Sequence, residues 1–126
     1  MRGRYLSPSQ RRAAAQRALG DLGADRRNHV LLRIRCSASH HVAVVFRTEL
    51  GPVFVSVVGF RAHGSRDFAD VAHSPHGRGT EYVDLLDGDR HADDELPAHC
   101  ECGARLLSRR ALRRAIDSAE RLVLVQ

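Results

Sequence analysis

An α+β fold, a small antiparallel β-sheet with one helix towards each end of the chain, is what this sequence predicts, on three observations. Residues 29–58 contain three short runs rich in Val, Leu, Ile and Phe, divided by turn sequence. Residues 7–20 and 108–119 each begin with a capping residue and continue with apolar positions at helical spacing. At 126 residues and 43% hydrophobic content, the chain is long and apolar enough for one core.

The elements follow in order. Ser7-Pro8-Ser9-Gln10 supplies an N-cap, a proline at the first helical position and a glutamine three residues after the cap. Ala15, Leu19 and Leu22 continue at helical spacing, and Gly20 and Gly23 are stop signals. The apolar face is thin and arginines are many. Residues 1–28 therefore read as an Arg-rich helical arm, loosely packed and ordered fully on a partner, preceding an α+β domain over 29–126.

Val30, Leu32 and Ile34 alternate with Leu31, Arg33 and Arg35, the pattern of a half-buried strand ending at Cys36. Residues 41–48 and 53–58 are two further strands. Cys36-Ser-Ala-Ser-His40 and Glu49-Leu50-Gly51-Pro52 are the turns of an antiparallel meander over 29–59. Residues 60–80 are rich in Gly and His without a period and read as a long loop. Glu81–Leu86 is a candidate fourth strand and Asp87–Glu95 a solvated acidic loop. Ser108 caps a second helix with Leu112, Ala115, Ile116 and Ala119 on one face, and Leu122–Val125 is a closing strand.

Charge is uneven along the chain. The net of +5 divides into +8 over residues 1–48, zero over 49–80, −7 over 81–101 and +4 over 103–121. A basic body interrupted by one acidic stretch points to an anionic partner. All 20 basic residues are Arg, which matches bidentate phosphate contact but follows more simply from the composition of a GC-rich gene. No apolar run reaches 18 residues, and the basic Met1-Arg-Gly-Arg start leads into polar sequence rather than an apolar signal region. These features predict a cytoplasmic protein without a membrane partner. An odd count of three cysteines then favours reduced thiols, in a metal site or free, over a disulfide framework.

Cys36 and His40 stand four apart at one hairpin tip, and Cys100-Glu101-Cys102-Gly103 returns some sixty residues later. Three thiolates and an imidazole are the donor set of a tetrahedral Zn²⁺ site, and a glycine just after the second cysteine suits a metal-binding turn. Two substitutes stay open: His99 for Cys100, since His99-x-x-Cys102 has the commoner spacing, and His41 for His40. Inert buried thiols are the competing explanation, yet two of the cysteines lie in polar turn sequence. Four protein ligands leave no position for water, so the site reads as structural rather than catalytic.

The same residues carry a resemblance. Cys-x-x-x-His followed by Val-Ala-Val-Val, then Ala-His-Gly-x-x-Asp, Leu-Pro-Ala-x-Cys-x-Cys-Gly and Leu-Ser-Arg is similar to a group of small zinc-ribbon-like proteins of GC-rich actinobacteria. It extends over residues 32–125. It implies a zinc-ribbon-like sheet with metal ligands at Cys36, His40, Cys100 and Cys102, and it brings no activity.

Two other groupings are candidates for chemistry. His63, Asp67, Asp70, His73 and His76 form a ligand-rich loop suited to a second, open metal site of a hydrolase. No pair there has the HExxH spacing, and Gly64 and Pro75 break any helix that would align them. Arg109, Arg110, Arg113 and Arg114 with Arg11 and Arg12 are candidate nucleic-acid contacts on the two helices. Two of them fall in a first helical turn, where the helix dipole disfavours cations, which suggests a use such as phosphate. With only 5% aromatic residues to stack on bases, such contact would be to backbone. The sequence thus predicts a non-enzymatic zinc-binding module contacting nucleic acid or a nucleoprotein complex. The alternatives are a protein–protein adaptor docking through acidic residues 81–101 and, more weakly, the metal-dependent hydrolase.

Overall fold

The computed structural model of the chain describes residues 6–58, 80–87 and 95–125. The expected meander is present: β1 (Val30–Cys36), β2 (His41–Thr48) and β3 (Gly51–Val58) pair antiparallel in chain order. Gly51 takes φ +97° in the β2–β3 turn, a left-handed conformation that side chains disfavour. Thr48 fastens that turn, its Oγ1 donating to the Gly51 carbonyl at 2.8 Å. β4 (Thr80–Leu85) pairs antiparallel with the outer side of β3, as predicted for the fourth strand.

Two further elements depart from the sequence reading. β5 (Glu95–Cys100) and β6 (Gly103–Ser108) form an antiparallel hairpin where no strands are predicted. Pro97 obscures β5, and it is tolerated because β5 is an edge strand. Its carbonyl accepts a 2.7 Å bond from Ser56 Oγ, which ties the hairpin to β3. After helix α2 (Arg109–Asp117), β7 (Leu122–Val125) pairs in parallel with β1, giving the order β4-β3-β2-β1-β7. The main sheet is therefore mixed rather than wholly antiparallel, and α2 lies in the crossover to β7. Ser108 caps α2 as predicted, its Oγ accepting from the Ala111 N–H at 3.1 Å.

Helix α1 (Pro8–Gly20) opens with the predicted reciprocal cap: Gln10 N–H donates to Ser7 Oγ, and Ser7 N–H to Gln10 Oε1. A 3₁₀ helix over Gly23–His29 then leads into β1. The helix is not loosely attached. Ala15, Ala18 and Leu19 are buried against Val44, Phe46, Val53, Val55 and Val83 on one face of the sheet. On the opposite face Ile34, Val45 and Phe54 meet Leu96 and Leu107 of the hairpin and Leu112 of α2. Burial on both faces explains the unbroken apolar run Val42–Phe46 in the central strand.

One carboxylate joins both helices to β4. Asp84 is fully buried, and Arg11 of α1 meets it through two bonds, Nε at 2.7 Å and Nη2 at 3.3 Å. Arg109, the first residue of α2, reaches it with Nη2 at 3.0 Å and gives Nη1 to the carbonyls of Leu85 and Leu86. Tyr82 donates its hydroxyl at 2.9 Å. Burial, together with the Asp84 charge and this bond, raises the Tyr82 phenol above its ordinary range. Arg26 lies over the Phe46 ring at 5.1 Å and pairs with Glu81 at 3.1 Å.

Removing Asp84 leaves two guanidinium groups facing the interior without their anion. Asp84→Ala is expected to cost about 3–5 kcal/mol in urea denaturation, against about 0.5 kcal/mol or less for the exposed Arg12→Ala. Equal costs for the two variants would refute the central place given to this carboxylate.

Candidate metal centre

The β1–β2 turn and the β5–β6 turn meet at one end of the molecule. In the first, the Cys36 N–H donates to the His40 carbonyl at 3.0 Å and the Ser39 N–H to the Cys36 carbonyl at 2.8 Å, with Ser39 at φ +68°. This tight turn folds His40 back over Cys36. In the second, Gly103 takes φ +124°, which lets the chain reverse directly after Cys102. Cys100 and Gly103 are register partners across the hairpin, so Cys100 and Cys102 both sit at its tip.

The donor atoms of Cys36, His40, Cys100 and Cys102 all lie within 4.8 Å of one another. His40 Nδ1 is 3.4 Å from Cys36 Sγ and 3.5 Å from Cys102 Sγ. Cys36 and Cys100 are buried in the core, His40 is half-buried and Cys102 is exposed. Among the described residues this is the group able to hold a metal ion, and neither His99 nor His41 belongs to it. His99 is on β5 opposite Ala104, and His41 opens β2 opposite Arg35.

Two side chains that the sequence reading passes over complete the site. His40 Nε2 lies 2.9 Å from Glu101 Oε2, so a carboxylate holds the far side of the ring while Nδ1 faces the sulfurs. That is the usual outer partner of a metal-bound imidazole. Arg105 donates its Nε–H to Cys100 Sγ at 3.3 Å, placing a cation beside the sulfur, and this contact raises the arginine above its ordinary value. Glu101 was legible as the residue inside Cys-x-Cys; Arg105 becomes visible only once β6 is known to be a strand.

The thiols perturb one another. Burial pushes the Cys36 thiol up, but N–H groups of His40 and Ala38 and the other two cysteines outweigh it and bring it down to about 7. Cys102 moves up, through burial and then through hydrogen bonding and charge from Cys36 and Cys100. Three sulfur donors packed this closely repel as thiolates, and a divalent cation among them removes that repulsion. The donor set therefore fits a metal ion.

The arginines predicted to face nucleic acid separate into two groups. Arg11 and Arg109 must be withdrawn from that role, because they are 2% and 1% exposed and turned onto Asp84. The first-turn position of Arg109, costly against the helix dipole, is offset by that buried carboxylate and two carbonyls. Arg12, Arg110 and Arg114 are exposed, and Arg113 is half-buried, 4.0 Å from Asp87. The apolar sides of α1 and α2 pack on opposite faces of the sheet, so the two helices do not form a single arginine surface. Within acidic residues 81–101, Glu81, Asp84 and Glu101 are engaged by Arg26, Arg11 and His40. Asp89, Asp93 and Asp94 lie outside the described residues, as do His63, Asp67, Asp70, His73 and His76.

No protein-family model, curated protein or solved structure matches the chain, so the functional reading rests on these residues. If Glu101 orients His40, Glu101→Ala is expected to weaken metal affinity about 10- to 100-fold in chelator competition while the far-UV circular dichroism stays the same. An unchanged affinity would remove Glu101 from the site.

Proposed function

We propose that this chain is a non-enzymatic module in which Cys36, His40, Cys100 and Cys102 hold one structural zinc ion. The observation that carries the reading is the closed set of four donors drawn from two turns. Zinc is favoured by three thiolates with one imidazole. For zinc bond lengths the nitrogen–sulfur edge of a tetrahedron is about 3.5–3.6 Å. The observed 3.4 and 3.5 Å agree with that edge. With four protein ligands there is no open position for a water or substrate, so the metal contributes stability rather than chemistry. Its role is to hold the β5–β6 hairpin against the central sheet, as the zinc-ribbon-like resemblance also implies.

The module's partner, in this reading, is nucleic acid or a nucleoprotein complex met through the arginines of α2. Arg110 and Arg114 are exposed and Arg113 partly so, on a helix whose other side is buried. Among the described residues Phe46 and Phe54 are fully buried and Tyr82 is half-buried and bonded to Asp84, so this reading takes backbone phosphates as the target. The acidic-adaptor alternative stands beside it: Glu81, Asp84 and Glu101 are engaged within the fold, Asp87 and Glu95 are exposed, and Asp89, Asp93 and Asp94 lie outside the described residues.

Metal analysis of the purified chain is expected to return one zinc per molecule, and Cys102→Ser to release it and lower the thermal midpoint. A variant that stays fully folded and zinc-loaded would contradict the ligand assignment. For the partner, single-stranded and duplex nucleic acid should bind with log K falling by about 2–3 per decade of salt, the slope for three phosphate contacts. Charge reversal at Arg110, Arg113 and Arg114 together should abolish that slope. Binding that ignores salt or these substitutions would reject the phosphate contact.

A further inference from the structure

The four donors of the metal centre are unequally sheltered. Cys36 and Cys100 are 0% exposed and belong to the hydrophobic core, and His40 is half-buried. Cys102 is exposed. It also lines an open groove of about 510 Å³, whose other walls come from Leu107 of β6, Leu112 of α2 and Val123 of β7. A small uncharged reagent arriving from solvent therefore meets Cys102 before either of the other cysteines.

Access is joined here to reactivity. The thiolate, not the thiol, attacks an electrophile, and a cysteine that ligates a metal is held deprotonated. Zn²⁺ has no redox chemistry of its own, so the electrons for any oxidation at this centre come from sulfur. The neighbouring sulfurs are close enough to follow, since the donor atoms all lie within 4.8 Å of one another.

We propose that Cys102 is a site of oxidation by hydroperoxides, and that its disulfide with Cys36 expels the zinc ion. The zinc reading underlies this step, which is a regulation of that same site. First the Cys102 thiolate attacks a peroxide oxygen: an S–O bond forms, the O–O bond breaks, and hydroxide leaves with the electron pair. The Cys36 thiolate then attacks the Cys102 sulfur: an S–S bond forms, the S–O bond breaks, and a second hydroxide leaves. Each sulfur gives up one electron and each peroxide oxygen gains one. Cys36 is the second sulfur because it faces Cys102 from the other turn, with His40 Nδ1 3.4 and 3.5 Å from the two sulfurs. The Cys100 sulfur is instead tied by the Arg105 Nε–H at 3.3 Å. Zinc is left with Cys100 and His40, half of its donors, and dissociates. The new bond joins the same two turns that the ion joined, so the β5–β6 hairpin stays attached.

The test treats the full zinc-loaded chain with equimolar hydrogen peroxide beside a chromogenic zinc chelator, against a control without peroxide. Zinc should appear in step with disulfide, and far-UV circular dichroism should stay that of the untreated chain. A thiol reductant with added zinc should reverse both changes. Tandem mass spectrometry should find Cys36 joined to Cys102. Dimedone present during the reaction should label Cys102 at least about 5-fold more than Cys36 or Cys100, because it traps the sulfenic acid formed first. Every reading is taken on the natural sequence, so no variant has to fold. Label chiefly on Cys36 or Cys100, a disulfide between Cys100 and Cys102, or zinc retained after Cys102 is oxidised overturns the proposal. Zinc is assayed before the peroxide is added. A loaded chain whose cysteines survive excess peroxide overturns the oxidation site and leaves the zinc reading standing; a chain that holds no zinc overturns both.

Discussion

The meeting of two turns, Cys36–His40 and Cys100–Cys102, is the constraint on which the rest of the molecule depends. The hairpin β5–β6 is only two strands, too little to be stable by itself. It is held on the main sheet by apolar packing of Leu96, Ala98 and Leu107, by the Ser56–Pro97 bond, and at its tip by the cysteine–histidine cluster. Cys36 and Cys100 are themselves core residues, so the cluster continues the hydrophobic interior instead of decorating its surface. Position follows from this. The groove beside β7 exists because β6 is kept at that distance from the sheet end.

A second polar tie secures the sheet at its β4 edge. Asp84 draws Arg11 from one helix and Arg109 from the other to the same buried carboxylate. Such a network brings heavy desolvation, so its net contribution to stability is smaller than the loss on removing one partner. It also shows how little a count of arginines says about partners. In a chain with no lysine, the same residue type serves as internal counter-ion at Arg11 and Arg109, as ring cover at Arg26, as donor to a cysteine sulfur at Arg105 and as exposed surface charge at Arg110 and Arg114.

Local signals in the sequence were trustworthy where local physics decides the outcome. The cap at Ser7, the cap at Ser108 and the meander over residues 30–58 depend on spacing along a few residues, and all are present. The cluster of Cys36, His40, Cys100 and Cys102 was readable for the same reason: each pair lies within one turn, and the four donors come together. What escaped was set by distant partners. β5 looks like loop because Pro97 disfavours a strand unless that strand is at an edge. The parallel pairing of β7 is decided by where α2 returns the chain, which no window around Leu122–Val125 contains. Arg11 and Asp84 are 73 residues apart, so a buried pair there reads in sequence as two ordinary surface charges.

X-ray absorption at the zinc edge of the purified chain tests the central claim most directly. A closed site built from Cys36, His40, Cys100 and Cys102 gives three sulfur scatterers at about 2.3 Å and one nitrogen at about 2.0–2.1 Å. A shell dominated by nitrogen or oxygen, or one that includes an exchangeable water, would contradict it.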